Sequence, residues 1–267
     1  MKFLLVIILS TSVFVTKNEG LNSSGEKFSP KESTFYYKLG DRPIPIKLLQ
    51  YGELKDIVMI NLHSDETTSV DASQKVLEST GGLLIKVENR NKRNIQFRLE
   101  NRIYSFDPNR IFTREGIVQS LNQNGRISPR AIDEVERFAS RILQFIPEST
   151  SCIIALHNNT NGNYSIDSYL PGRERENDAK LVYKNSSQDE DDHFLTTDSI
   201  LFTQLSSKRY NVIWQNNETA SDDGSLSVYC GKKGIRYLNC ETEHGKYDQY
   251  CEMLMAAYNV LLDIDEK

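Results

Sequence analysis

The stretch from residue 56 to residue 69, DIVMINLHSDETTS, passes from a short apolar run at residues 57–60 into polar residues that include His63 and Glu66. An apolar run of that length, bounded by polar residues, predicts a buried strand. Three positions separate the imidazole from the carboxylate, so a turn at the mouth of the strand brings both side chains toward one point. Histidine nitrogen and glutamate oxygen are good Zn²⁺ donors, and catalytic zinc sites commonly take three protein ligands and leave a fourth position to water. H-x-x-E alone also describes an ordinary surface loop after a strand. The other rare residues of the chain have to decide between the two.

The chain continues as a β-α-β unit. DASQKVLEST at residues 71–80 has a helical frame that stops at Gly81-Gly82, and GLLIKV at residues 82–87 is the next strand. The two candidate ligands therefore stand at the carboxyl end of the first strand, where open α/β sheets place their sites. SCIIAL at residues 151–156 is a second buried strand, and it ends in His157. GIRYLNC at residues 234–240 is a third and runs into Glu241, Glu243 and His244. A recurrence of chemically useful residues at strand ends is not what the surface-loop reading predicts.

Between these strands, residues 94–106 read as two short strands around a turn. Residues 128–145 form the best helix, with Ser128 or Asn124 as cap and Pro129 in its first turn. Residues 158–193 read as a long polar loop in which QDEDD, 188–192, is a solvated charged face and not a calcium site. Residues 211–214 read as a short strand, residues 225–231 as a helix and residues 246–262 as a C-terminal helix. The expected fold is a single α/β domain, a mixed central sheet with helices on both faces, over residues 51–267. Residues 21–50 read as a polar leader and an irregular or β entry.

Met1-Lys2 followed by FLLVIILSTSVFV has the charge and length of a secretory signal peptide and is too short to span a membrane, so residues 1–20 are set aside from the fold. A secreted or periplasmic protein without stable membrane insertion is expected. Setting aside Lys2, Lys17 and Glu19 takes the net charge from −5 to −6, which argues against nucleic acid as a partner. The composition, 38% apolar and 26% charged, suits a protein with a full polar surface. In an oxidising compartment Cys152, Cys230, Cys240 and Cys251 are expected to give one or two disulfides, with no pairing indicated. Sequons stand at Asn22, Asn158, Asn163, Asn185 and Asn217, and a glycan at Asn158 would be awkward beside His157.

Taken in order, H-S-D-E at 63–66, D-P-N-R-I-F at 107–112, A-L-H at 155–157 and N-C-E-T at 239–242 resemble the zinc carboxypeptidase superfamily. Arg102, eight residues before Arg110, sharpens the resemblance to the aspartoacylase/succinylglutamate desuccinylase-like branch. The resemblance covers most of residues 55–262. It implies one Zn²⁺ per chain held by His63, Glu66 and His157, and Glu241 as the carboxylate that moves the proton, with Glu243 as its rival. It implies Arg102 at the oxyanion, and Asn109 with Arg110 gripping a substrate carboxylate through a guanidinium fork. Export, and no obvious separate C-terminal β domain, favour a small peptide with a free carboxylate over an acyl-amino acid as substrate. The rival readings are an acyl-amino-acid deacylase with the same site and a secreted binding protein that keeps the fold without turnover.

Overall fold

Ile44 and Ile46, then Leu49 and Tyr51, are the buried residues of RPIPIKLLQY. In the computed structural model, which describes residues 27–53, 56–162 and 164–265, they belong to a hairpin of β1 (Pro30–Leu39) and β2 (Arg42–Tyr51). The segment expected as a polar entry thus supplies two strands of the main sheet. Its prolines obscured this, yet Pro43 and Pro45 precede the point, Ile46, where β2 begins to pair with its second neighbour, so their missing N–H groups cost that ladder nothing. The proposed signal peptide, residues 1–20, lies outside the described residues.

β3 (Ile57–Asn61), α1 (Thr67–Thr80) and β4 (Gly82–Val87) form the β-α-β unit, with β3 and β4 parallel and β2 antiparallel to β4. β5 (Ile95–Leu99) and β6 (Arg102–Phe106) make the expected separate ribbon. Two helices follow. α2 (Arg114–Gln123) escaped the periodicity because it buries only Gly116, Ile117, Ser120 and Leu121, and α3 (Pro129–Leu143) is capped by Ser128 as expected. β7 (Cys152–Asn159) runs two residues past His157. The polar region after it is not all loop: β8 (Ala179–Tyr183) and β9 (His193–Thr196) lie in it or border it. α4 (Ser199–Ser207), β10 (Val212–Gln215), α5 (Leu226–Lys233), β11 (Tyr237–Glu243) and α6 (Tyr247–Asp265) complete the chain.

Among the described residues the main sheet has nine strands in the order β1-β2-β4-β3-β7-β11-β9-β10-β8, parallel from β4 to β11 and again between β9 and β10, and antiparallel at its other pairs. Alternation along the strands divides the core in two. Val58, Ile60, Ile153 and Ala155 face Ile117, Val135, Phe138 and Leu226 from α2, α3 and α5. Met59, Ile154, Leu238 and Cys240 face Val76, Leu201, Leu254 and Leu261 from α1, α4 and α6. The chain is therefore an α/β fold with helices on both faces of a mixed sheet. No helix among the described residues is long and apolar enough to cross a membrane.

The four cysteines are free, against the expectation of disulfides. Cys230 packs on one side of the sheet, and Cys152 and Cys240 on the other. Cys240 stands opposite Leu156, four residues along β7 from Cys152, about 13 Å at strand rise and too far to bridge. The QDEDD run also departs from a solvated face, because Asp191 and Asp192 are buried. The Lys246 ammonium reaches Asp189 at 2.7 Å, Glu243 at 3.3 Å and Asp192 at 3.4 Å, and so supplies the counter-charge that burying carboxylates requires.

Candidate metal centre

β3, β7 and β11 are neighbours in the sheet, and each delivers a functional side chain near its carboxyl end. His157 and Glu241 face each other directly in the parallel register of β7 and β11. They lie on the same face as Ala155 and Tyr237, because odd-numbered positions of both strands share a side. His63 and Glu66 come from the turn between β3 and α1, which is closed by the Glu66 N–H donating to the His63 carbonyl at 3.1 Å. The Tyr250 hydroxyl of α6 accepts the His157 N–H at 3.0 Å and donates to the Cys240 carbonyl at 2.7 Å, fixing β7 against β11 beside the site.

His63, Glu66 and His157 are buried, and their ligand atoms lie within 4.8 Å of one another, so the group can hold a metal ion. His63 Nδ1 is 3.0 Å from Glu66 Oε1, His157 Nδ1 is 3.0 Å from Glu66 Oε2, and the two Nδ1 atoms are 3.3 Å apart. All three donors thus point to one place, and two imidazoles with a carboxylate suit zinc. The outer nitrogens have neighbours behind them: His63 Nε2 is 2.7 Å from Asp107 Oδ1, and His157 Nε2 is 3.4 Å from Asn109 Nδ2. Such outer partners set the orientation of metal-binding imidazoles.

Without a cation the cluster stabilises itself by charge. Burial opposes a charged His63, but Glu66 and Asp107 outweigh it and raise the imidazole to about 9. Burial opposes the Glu66 carboxylate too, and there His63 and His157 prevail, holding it well below the usual range. Burial lowers His157. Glu241 is different. Burial, then repulsion from Glu66, pushes it up to about 8, and its Oε2 is buried without a partner while Oε1 accepts from Asn239 at 3.3 Å.

A cavity of about 610 Å³ opens over this cluster. Glu66, His157 and Glu241 line it, with Asn109 and Arg110. Glu243 does not line it; its carboxylate is taken by Asn161 at 3.0 Å and Lys246 at 3.3 Å. Arg102 does not reach it either. It is exposed at the start of β6, paired with Leu99 in the two-stranded ribbon, and the spacing that suggested its role carries no position in space. The guanidinium at the cluster is that of Arg93, which donates to Glu66 Oε1 at 2.7 Å and stands 3.5 Å from Asp107.

Asn109 and Arg110 reach the cavity already engaged. Asn109 Oδ1 accepts from the Leu226 N–H at 3.1 Å, and Arg110 forms a close ion pair with Asp223. Asp107 stands in the D-P-N-R-I-F motif, but its pairing with His63, and Arg93 and Asp223 altogether, were beyond sequence reasoning, because their partners lie 27 to 113 residues away. His244 lines the cavity, three residues past Glu241. Asn158 is buried with its amide used at both ends, accepting from Ser69 N–H and donating to Thr242, which leaves no room for a glycan.

No protein-family model matches the chain, and no curated protein does. Among solved structures, murein-tripeptide amidase MpaA from Escherichia coli O157 is similar with 11% identity over 90% of this chain and 97% of that one, at a TM-score of 0.47. An aspartoacylase family protein from Mesorhizobium loti has 15% identity over 91% and 71% of the two chains, at 0.40. Thrombin activatable fibrinolysis inhibitor has 12% identity over 85% and 68%, at 0.46. None of these likenesses decides what the cavity does; its chemistry stands on its own distances.

Proposed function

We propose that the chain is an exported zinc-dependent hydrolase that cleaves an amide bond in a small peptide with a free carboxylate. The observation that carries this reading is the convergence of His63, Glu66 and His157 on one point, under the same cavity wall as Glu241. His63 Nδ1, His157 Nδ1 and the Glu66 carboxylate would hold the metal, with Asp107 and Asn109 fixing the two rings. When bound, zinc supplies Lewis-acid activation of water and of the scissile carbonyl at neutral pH.

The remaining work falls to side chains. Glu241 takes the proton of the attacking water on its partnerless Oε2 as the water oxygen bonds to the carbonyl carbon. When the C–N bond breaks, the same oxygen returns that proton to the leaving nitrogen. A base whose ordinary value is moved toward neutrality by burial suits both directions of transfer. Arg93, beside Glu66, offers the nearest guanidinium to charge developing on the carbonyl oxygen, the role expected of Arg102. The substrate carboxylate is left to the other arginines of the lining, Arg110 and Arg175.

The test is turnover of short peptides with free C-termini by the zinc-loaded protein, followed by mass spectrometry. Glu241→Gln is expected to keep its zinc and lose about 10²–10⁴ in kcat, the range general acid–base catalysis supplies. Normal turnover in that variant would remove Glu241 from the reaction. Absence of cleavage across the panel by zinc-loaded wild type would remove the hydrolase reading itself.

A further inference from the structure

Arg175 also lines the cavity, with Arg93 and Arg110, and its setting differs from theirs. It lies between two short 3-10 helices, Ile166–Tyr169 and Glu176–Asp178, and one third of its side chain is exposed. Its guanidinium carbon stands 5.6 Å from the Tyr164 ring centroid and 5.9 Å from that of Tyr169. The two phenols are tied to each other at 2.6 Å, so the rings, set edge to face at 70°, form an angled ledge against it. Among the described residues its one ion pair, with Asp178, is long, at 3.7 Å. A planar cation laid on aromatic rings and short of close acceptors is pre-organised for a bidentate carboxylate.

Arg110 has the opposite setting. Asp223 occupies its guanidinium and is held in place from several sides. Asp223 Oδ1 accepts from the Ser225 N–H at 3.0 Å, and the Gly224 carbonyl accepts from the Phe112 N–H at 2.9 Å. Next to it Asp222 accepts from the Thr113 hydroxyl and from Lys232, each at 2.6 Å. The segment is sewn to residues 109–113 along its length and cannot withdraw Asp223 as a lid would. Arg110 is therefore closely paired by the chain itself, while Arg175 has the longer contact with Asp178.

We propose that Arg175, on its Tyr164–Tyr169 ledge, recognises the free carboxylate of the ligand, and that Arg110 serves chiefly to hold Asp223 and the cavity wall. This rests on the reading that the ligand carries such a carboxylate, and it assigns the specificity to a residue outside the H-x-x-E and N-R motifs.

The test needs no turnover. Trialanine and its C-terminal amide differ only in the carboxylate, and their binding to the full chain is measured by calorimetry without added metal, so that no cation competes for the ligand. Wild type is expected to bind the acid about 10-fold or more tighter than the amide, the worth of a charge-assisted hydrogen-bonded pair. Arg175→Gln is expected to bring the ratio to near one, Arg175→Lys to leave it in between, and Arg110→Gln to keep most of it. A ratio near one in wild type, a ratio untouched by Arg175→Gln, or a ratio lost only in Arg110→Gln would overturn the assignment. Failure of the hydrolase reading looks different: the ratio and its dependence on Arg175 persist, and the zinc-loaded chain cleaves nothing.

Discussion

At the scale of single residues, the two imidazoles owe their usefulness to neighbours. Asp107 accepts from His63 Nε2 at 2.7 Å and is itself placed by the Ser120 hydroxyl, which takes the Asp107 N–H at 2.9 Å. Asp107→Ala is expected to weaken zinc binding about 10–100-fold, read by competition with a chromogenic chelator. His193 supplies a pH test away from the cluster. It is fully buried against Tyr164, with Nδ1 donating to the Asp191 carbonyl at 3.2 Å and Nε2 unpartnered, and burial lowers it to about 4. The native ring stays neutral down to that pH, whereas the unfolded ring takes a proton near 6.5. Stability is thus unaffected above about 6.5 and falls between 6.5 and 4, by about 3 kcal/mol from this residue. Asp192 acts in the opposite sense: burial raises it to about 6, so its cost is present above that value and is relieved as pH falls toward 3.8. Denaturant titrations from pH 7 to pH 4 should show a shallower loss in His193→Gln than in wild type. His63, Glu66, His157 and Glu241 were legible in sequence because each is a rare polar residue at the end of an apolar run. Asp107 was legible as part of a motif but not as the partner of His63, and Arg93 and Arg175 were not legible, because their value comes from partners that only the fold supplies.

At the scale of elements, the seam between residues 109–116 and residues 221–226 sets the shape of the cavity. Gly224 has φ +75°, and a Cβ there would stand 2.6 Å from the Arg110 carbonyl and against the Gly116 backbone. Gly224→Ala is expected to cost about 2–4 kcal/mol, a fall in Tm of about 5–10 °C by calorimetry, from backbone strain and overpacking together. The same variant displaces Asp223 and so loosens Arg110. A Tm within a degree of wild type would show that the seam is softer than its contacts indicate. Strands β3, β4 and β7 and helix α3 could be read from the chain because continuous apolar runs and a capped 3.6-residue period mark them. α2 and α4 could not: each carries few buried apolar residues, and their caps, Thr113 and Asp198, are single residues in polar surroundings. The hairpin of β1 and β2 was hidden by its prolines, and β8 by its setting in a polar stretch.

At the scale of the whole molecule, the sheet order decides the chemistry. β3, β7 and β11 are adjacent only because the chain returns twice to the centre of the sheet, and that return brings His63 against Glu66 and His157 and places Glu66, His157 and Glu241 on one cavity although 178 positions separate His63 from Glu241. The α/β class and the order of the site motifs were visible in sequence; the register that sets Glu241 beside His157 was not, since nothing in either strand names its partner. If the cluster holds zinc in the folded chain alone, metal stabilises the fold by about 2.7 kcal/mol at a free concentration one hundred times Kd, seen as a concentration-dependent Tm. The most direct measurement is the metal content of the purified chain after supply of zinc, beside His63→Ala and His157→Ala. One zinc per chain is expected in wild type, and its loss in both variants while their circular dichroism stays that of the folded protein. No zinc in wild type, or full zinc in folded variants lacking either histidine, would contradict it.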